Sequence, residues 1–408
     1  MKRQPSIGII FLTVFLDLVG FGIVLPLLPV FSEEMGASGF VIGVIMASFS
    51  LMQFIFAPWW GKLSDRVGRR PVLLVSLAFS ALSYAIFAIG SGMTGEAGLW
   101  VLLGSRVAAG ICGANISVAQ AYIADITPPE NRSKRMGLIG MAFGLGFIFG
   151  PVLGGLSLKW FGVTGPGWVA TAFCAVNFLL ALAILPESWK PNGEHAPRRP
   201  RLAQWMHTLS QPKVGLLIWL FFLATFAFTC FETTLGLLVA KNFGLHPKQD
   251  ADKISYLFTY CGLIGALVQG GAVGRLVRKY GEPGLIALSL GLTAAALAPM
   301  PFVSGWPALL AVLAVLSIGS QLARPPIFGM ISNLTPPNEQ GATLGVAQSI
   351  GSLARIAGPI FAGSLFKVSP AIPYIACAAV AALAGVIAWQ RLHNVPRQSP
   401  ASLPAEAA

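Results

Sequence analysis

Eleven residues, Gly61-Lys-Leu-Ser-Asp65-Arg66-Val-Gly68-Arg69-Arg70-Pro71, separate two long apolar runs and constrain the fold more than any other stretch. They pack five charges, Lys62, Asp65, Arg66, Arg69 and Arg70, into a loop too short to leave the surface where the runs end. The glycines let the two runs turn back on each other at close range. A weaker copy, Gly274-Arg-Leu-Val-Arg278-Lys-Tyr-Gly281, follows in the second half. A duplicated basic hairpin in an apolar chain predicts two related bundles of membrane helices.

Composition agrees. Hydrophobic residues make up 55% of the 408 and charged residues only 10%, against about 25% charged in a soluble domain. The mean hydropathy is +0.74. The net charge of +12 follows alternate loops, as membrane topology requires, and does not point to nucleic acid. Cys112, Cys174, Cys230, Cys261 and Cys377 all fall in apolar runs without metal-like spacing. The four histidines lie in loops or near span ends, so no metal or cofactor site is expected. The first apolar run, about 25 residues, is too long for a leader peptide and reads as a span.

Twelve spans are expected, near 7–31, 39–60, 71–91, 98–124, 134–158, 165–186, 214–240, 254–274, 283–303, 306–332, 341–363 and 370–390. The even-numbered loops and both tails carry nineteen of the 27 Lys and Arg; the odd-numbered loops carry five. That asymmetry places both termini in the cytoplasm. The longest loop, 187–213, begins Pro-Glu-Ser-Trp and is basic and proline-rich. The expected division is a six-helix bundle over 1–186, a cytoplasmic linker over 187–213, a second bundle over 214–393 and a disordered tail over 394–408.

The halves repeat. With residue n set against n+208, Asp125-Ile-Thr-Pro-Pro meets Asn333-Leu-Thr-Pro-Pro, Gly137 meets Gly345, Gly150-Pro151 meets Gly358-Pro359 and Gly155 meets Gly363. The register holds without a gap. Parallel six-helix halves predict a central cavity and a rocking motion that opens it to either side.

These features together resemble the major facilitator superfamily and, within it, the twelve-helix drug:proton antiporters. Gly61-x-x-x-Asp65-Arg66-x-Gly68-Arg69-Arg70 resembles the superfamily's loop signature, and Arg106-x-x-x-Gly110 its fourth-helix motif. Gly146-x-x-x-Gly150-Pro151-x-x-Gly154-Gly155 is similar to the fifth-helix motif of exporters, and 17–29 to the first helix of drug exporters. The stretches 61–90 and 121–155 look most like tetracycline efflux proteins. Those carry acids in the third and ninth helices, where this chain has Ser83 and no acid in 283–303. That departure weighs against tetracycline as substrate. The resemblance implies proton-coupled export of lipophilic small molecules or drugs, no cofactor, a monomer and the bacterial inner membrane. It also implies that Asp65 meets the positive end of a helix from the other half. Arg66, Arg69 or Arg70 would then pair with Asp125, forming a latch that favours the outward-facing state.

Five ionisable residues lie within the spans: Asp17, Arg106, Glu232, Arg324 and Arg355. Each costs at least about 2.5–3.5 kcal/mol in lipid unless it faces a cavity or a partner. Asp17 sits near mid-depth, either as a protonation site or as a static partner of Arg106. Glu232 is a further candidate for proton coupling; it is flanked by Phe228 and Phe231, which suits a lipophilic cation, and the alternative is a structural contact on the periplasmic side. Arg106 is expected to couple protons or to pair with Asp17. Arg324 precedes Pro325-Pro326, where the helix should be disrupted; Arg324 and Arg355 either bind an anionic substrate group or bridge to acids and carbonyls. Asn115, Gln120, Gln53 and Gln348 are further polar groups within spans, which either line the cavity or bond between helices; the candidate cavity residues are Asn115, Gln120, Phe228, Phe231, Arg324 and Arg355. With Arg106 paired to Asp17 and the other arginines held, the cavity would be nearly neutral and accept neutral or monocationic compounds. Preferred transport of anions would instead mark an organic-anion carrier. No Walker-type loop is present, so ATP drive is not supported, and no nucleophile–base constellation suggests an enzyme. The alternative is proton-coupled uptake or export of a metabolite such as a sugar or organic anion.

Overall fold

A computed structural model describes residues 5–113, 115–189, 200–244 and 251–392. Lipid offers no partner for a backbone N–H or C=O, so each apolar run closes its bonds within a helix. Eleven described helical runs are long and apolar enough to cross a membrane. One of them, Tyr256–Phe302, covers 47 residues and is two crossings. It bends back at Gly281, where φ 72° and ψ 165° are not helical. Gly68, with φ 99° and ψ 163°, makes the same turn in the first half. Only glycine adopts this backbone without strain.

The twelve membrane helices are numbered in chain order. In the first half, α1 is Ile7–Val24, extended past a break at Pro26 by Leu27–Glu34. Then come α2 (Gly39–Val67), α3 (Arg69–Ser91), α4 (Gly95–Cys112 and Asn115–Asp125), α5 (Arg132–Phe161) and α6 (Gly165–Ile184). In the second half, α7 is Pro212–Phe243, α8 is 251–280 and α9 is 282–297. The last three are α10 (Trp306–Leu334), α11 (Gln340–Val368) and α12 (Ala371–Leu392). The 208-residue register recurs in three dimensions: short 3₁₀ turns, Pro129–Asn131 and Pro337–Glu339, precede α5 and α11 alike.

Three departures from the expected pattern have physical reasons. The linker contains a helix, Arg201–Ser210, that its proline-rich composition hides. The remainder of that linker at 190–199, and the expected tail at 394–408, lie outside the described residues. The helix α10 runs unbroken through Pro325 and Pro326. Both prolines are buried against neighbours, and such packing supports proline within membrane helices. Finally, α8 carries a π-helical turn, Val268–Ala272. Its Gln269 fills the space over Gly140 and donates to Gln321 of α10.

Near the face that carries the 61–71 turn, one apolar core draws on both halves. It includes Ile10, Leu73, Ala121 and Tyr122 of the first half with Leu217, Phe328, Leu344 and Leu392 of the second. Towards the opposite face the core divides. Val19, Ile23, Phe31, Phe87 and Leu102 cluster within the first half. Phe231, Leu235, Leu238, Leu309 and Tyr374 cluster within the second. The halves are therefore packed together at one end and separately at the other.

Candidate functional site

The turn at Gly68 is the centre of a buried charged network. Asp65 is 1% exposed. Its Oδ1 accepts from the Gly341 N–H at 2.8 Å and its Oδ2 from the Ala342 N–H at 2.7 Å. These N–H groups belong to the first turn of α11, which has no internal acceptor for them and carries partial positive charge. Arg69, fully buried, donates from Nη1 to Asp65 at 2.5 Å and to Ser64 Oγ at 2.9 Å. Its Nε donates to Asp125 Oδ2 at 3.0 Å. Of the three arginines considered for Asp125, the fold selects Arg69. Arg66 is exposed, and Arg70 donates instead to the Leu185 and Leu182 carbonyls at the end of α6.

Glu187 is a member of this network that motif reasoning missed. Its carboxylate accepts from the N–H groups of Arg69 at 2.8 Å and Arg70 at 3.1 Å, at the start of α3. A Cβ at Gly68 would lie 2.4 Å from Glu187 Oε2. The only available signal was an acid just beyond α6, within Pro-Glu-Ser-Trp. Gly61 is needed for a different reason: an added Cβ would meet the Gly341 carbonyl at 1.9 Å. Here α2 and α11 touch backbone to backbone.

The fifth-helix glycines are also contact positions. A Cβ on Gly146, Gly150 or Gly154 would collide with the α1 backbone at Leu18, Gly22 or Ile23. Gly155 faces open space and Pro151 is exposed, so these two take no part in that contact.

Deeper in the first half, Asp17 sits where α4 is interrupted. The carbonyls freed around Gly113 are taken by side chains: Ile111 by Trp60 Nε1 at 2.6 Å, Gly113 by Gln53 Nε2 at 3.3 Å, and Cys112 by Ser76. Asn115, which begins the next helical segment, faces the Asp17 carboxyl together with Ser80. One oxygen of Asp17 and the side-chain oxygen of Asn115 are buried without a hydrogen-bond partner. Arg106 does not pair with Asp17. It is 2% exposed, and its guanidinium lies 5.6 Å from the Tyr84 ring centre and 5.5 Å from that of Phe87. Tyr84 stands within electrostatic range of both residues.

The polar groups of the second half divide between bonding and open positions. Gln120 of α4 accepts from Gln348 of α11 at 3.1 Å, so both join the halves. Arg355 donates from Nη2 to Gln53 Oε1 at 2.7 Å and to Ser352 Oγ at 2.8 Å. Glu232 is exposed and acts electrostatically on Arg355 without an ion-pair contact. Phe228 is part-buried, whereas Phe231, 2% exposed, belongs to the second-half core and not to a cavity wall. Arg324 differs from all of these. Its Nε and Nη2 are buried with no hydrogen-bond partner. Its guanidinium rests on the rings of Phe143, Phe221 and Phe328 at 5.0, 5.7 and 5.7 Å.

Comparison with known proteins places this arrangement. The chain is 32% identical over 377 residues to a class C tetracycline resistance protein of Escherichia coli, covering 90% of this chain and 91% of that one. It is 30% identical over 382 residues to multidrug resistance protein 2 of Bacillus subtilis, covering 92% of each. The crystal structure of the human organic anion transporter MFSD10 (TETRAN) superposes with a TM-score of 0.81 at 27% identity, over 94% of this chain and all of that one. The family model for the Major Facilitator Superfamily matches residues 10–287 and again 250–408. A chain of twelve membrane helices in two repeats, with this turn network and these relatives, belongs to the Major Facilitator Superfamily and is a transporter.

Proposed function

We propose that the protein is a proton-coupled secondary transporter that exports lipophilic small molecules from the cytoplasm by alternating access. The termini and the Gly68 turn lie on the cytoplasmic side, as the Lys and Arg distribution favours. The shared core at that end and the separate cores at the other are those of an outward-facing carrier. Resistance proteins against several drugs among its relatives support export of lipophilic compounds.

The observation that carries proton coupling is Asp17. Its carboxyl faces two neutral partners, Asn115 and Ser80, and no cation among the described residues. A carboxyl so placed can change charge without breaking an ion pair. Asp17→Asn should abolish uphill export in inverted membrane vesicles while leaving insertion and substrate binding intact. Export that persists in this variant and still collapses with the proton gradient would remove Asp17 from the coupling role.

A second reading concerns the charge of the cargo. The near-neutral cavity expected from sequence required Arg106 paired with Asp17 and Arg324 held by a partner. Neither condition is met. The likeness to an organic anion transporter supports carriage of anions.

A further inference from the structure

We propose that Arg324 is the group that grips an anionic substrate, and that the ligand class is an amphipathic aromatic carboxylate or sulfonate. This rests on the transport reading above and names the part of the substrate that the chain recognises.

The two orphaned nitrogens, Nε and Nη2, form one edge of the guanidinium plane. That edge is the one a carboxylate or sulfonate engages with two parallel hydrogen bonds. Ring faces hold the cation in position but cannot accept bonds from its in-plane N–H groups. The site is thus oriented and electrostatically incomplete. The charged group that acts on Arg324 is another cation, Arg355. Arg355 already spends its Nη2 on Gln53 and Ser352 and has Glu232 within range. An arriving anion therefore finds free donors on Arg324 and an added positive field from Arg355.

The three rings specify the remainder of the ligand. Phe221 and Phe328 come from α7 and α10, and Phe143 comes from α5 of the other half. An aromatic body beside the acid would touch both halves, so its binding would respond to their rocking. An inorganic anion would gain the fork but none of this apolar contact. A cation of the same shape would meet two arginines.

The test uses the full-length protein in lipid nanodiscs with two dyes on one xanthene core: fluorescein, an anion, and rhodamine 6G, a cation. Fluorescein should bind the native chain more tightly than rhodamine 6G. R324Q should weaken fluorescein about tenfold or more, the cost of losing charge-assisted bonds, and should not weaken rhodamine 6G, which loses a repelling charge. R324K, which keeps the charge and loses the fork, should fall between. R355Q should weaken fluorescein less than R324Q. Equal affinity of the native chain for both dyes overturns the site, a result that needs no variant to fold. So does an R324Q protein that binds fluorescein normally, or an R355Q protein that loses as much. Uphill export of rhodamine 6G without fluorescein binding overturns the anion site and leaves the exporter reading standing. Fluorescein binding lost in R324Q, with no proton-driven export of either dye, supports the site and contradicts the exporter reading.

Discussion

The two hairpin turns, one in each half, share a backbone and not a chemistry. Gly68 and Gly281 adopt nearly the same positive φ and extended ψ. Around Gly68, three carboxylates and Arg69 bind one another and two helix starts: Asp65 takes the first N–H groups of α11, and Glu187 those of α3. Around Gly281 the acid has moved. Arg278 stands where Asp65 would be, and Glu282 where Arg69 would be. Among the described residues, Glu282 accepts from the hydroxyl of Ser133, near the start of α5. Beside it, Arg132 reaches across to the Ser332 carbonyl at 3.0 Å and to Asn333, the counterpart of Asp125, at 3.1 Å. Both turns thus join the halves at the same face. The first does so with a fully buried carboxylate on backbone donors, the second with bonds of half-buried Glu282 and Arg132. Bonds to charged groups are worth about 1.5–3 kcal/mol each, and solvent screens the half-buried ones more, so the first turn should hold the face closed.

The largest effect should come from Asp65→Asn. The amide keeps one acceptor oxygen for two backbone N–H groups and Arg69 Nη1, and leaves Arg69 with less charge to meet. Losing about 1.5–3 kcal/mol of closure should cut transport turnover about tenfold or more while substrate affinity in the outward-facing form is kept. Turnover and binding measured on the same preparation separate the two. Next is the glycine pair. Gly68→Ala meets Glu187 Oε2 at 2.4 Å as well as backbone strain, whereas the nearest atom at Gly281 is Pro283 Cδ at 3.9 Å. Gly281→Ala should cost only the conformational term, about 1–2 kcal/mol, and Gly68→Ala clearly more, read as thermal stability of the purified proteins. The smallest effect should be that of Glu282→Gln, which still accepts from Ser133; turnover should stay within about threefold, because the bond survives and is half-buried. An equal loss in Glu282→Gln and Asp65→Asn would erase the distinction between the turns.

Much of this was legible in the chain. Lipid permits few backbone solutions, so apolar length alone placed the twelve helices, and the resemblance of Gly61–Arg70 to the superfamily's loop signature implied the Asp65 contact across the halves. The pairings were less legible. Choosing Arg69 over Arg66 and Arg70 depends on which side of the Gly68 turn each one leaves, which spacing does not show. Glu187 sits far from the motif in sequence and meets it only because α6 ends beside α3. The alternative pairing of Asp17 with Arg106 is not made, because Asp17 meets Asn115 and Ser80 while the Arg106 guanidinium lies against the Tyr84 and Phe87 rings, packing that sequence periodicity does not show. Adjacency to Glu232 suggests a cavity-lining Phe231. On a helix, adjacent residues point in different directions, and Phe231 turns into the core.

The central claim is that the first turn, and not the second, keeps the face that carries both turns shut. Spin labels at V67C and Y280C, exposed positions at the ends of α2 and α8, would report the distance between the halves across that face. The background would have its native cysteines replaced. The account predicts one short distance in the otherwise native protein and in Glu282→Gln. In Asp65→Asn a longer distance should become a major population. An Asp65→Asn distribution that matches the native one, or a Glu282→Gln protein that opens as far as Asp65→Asn, would contradict it.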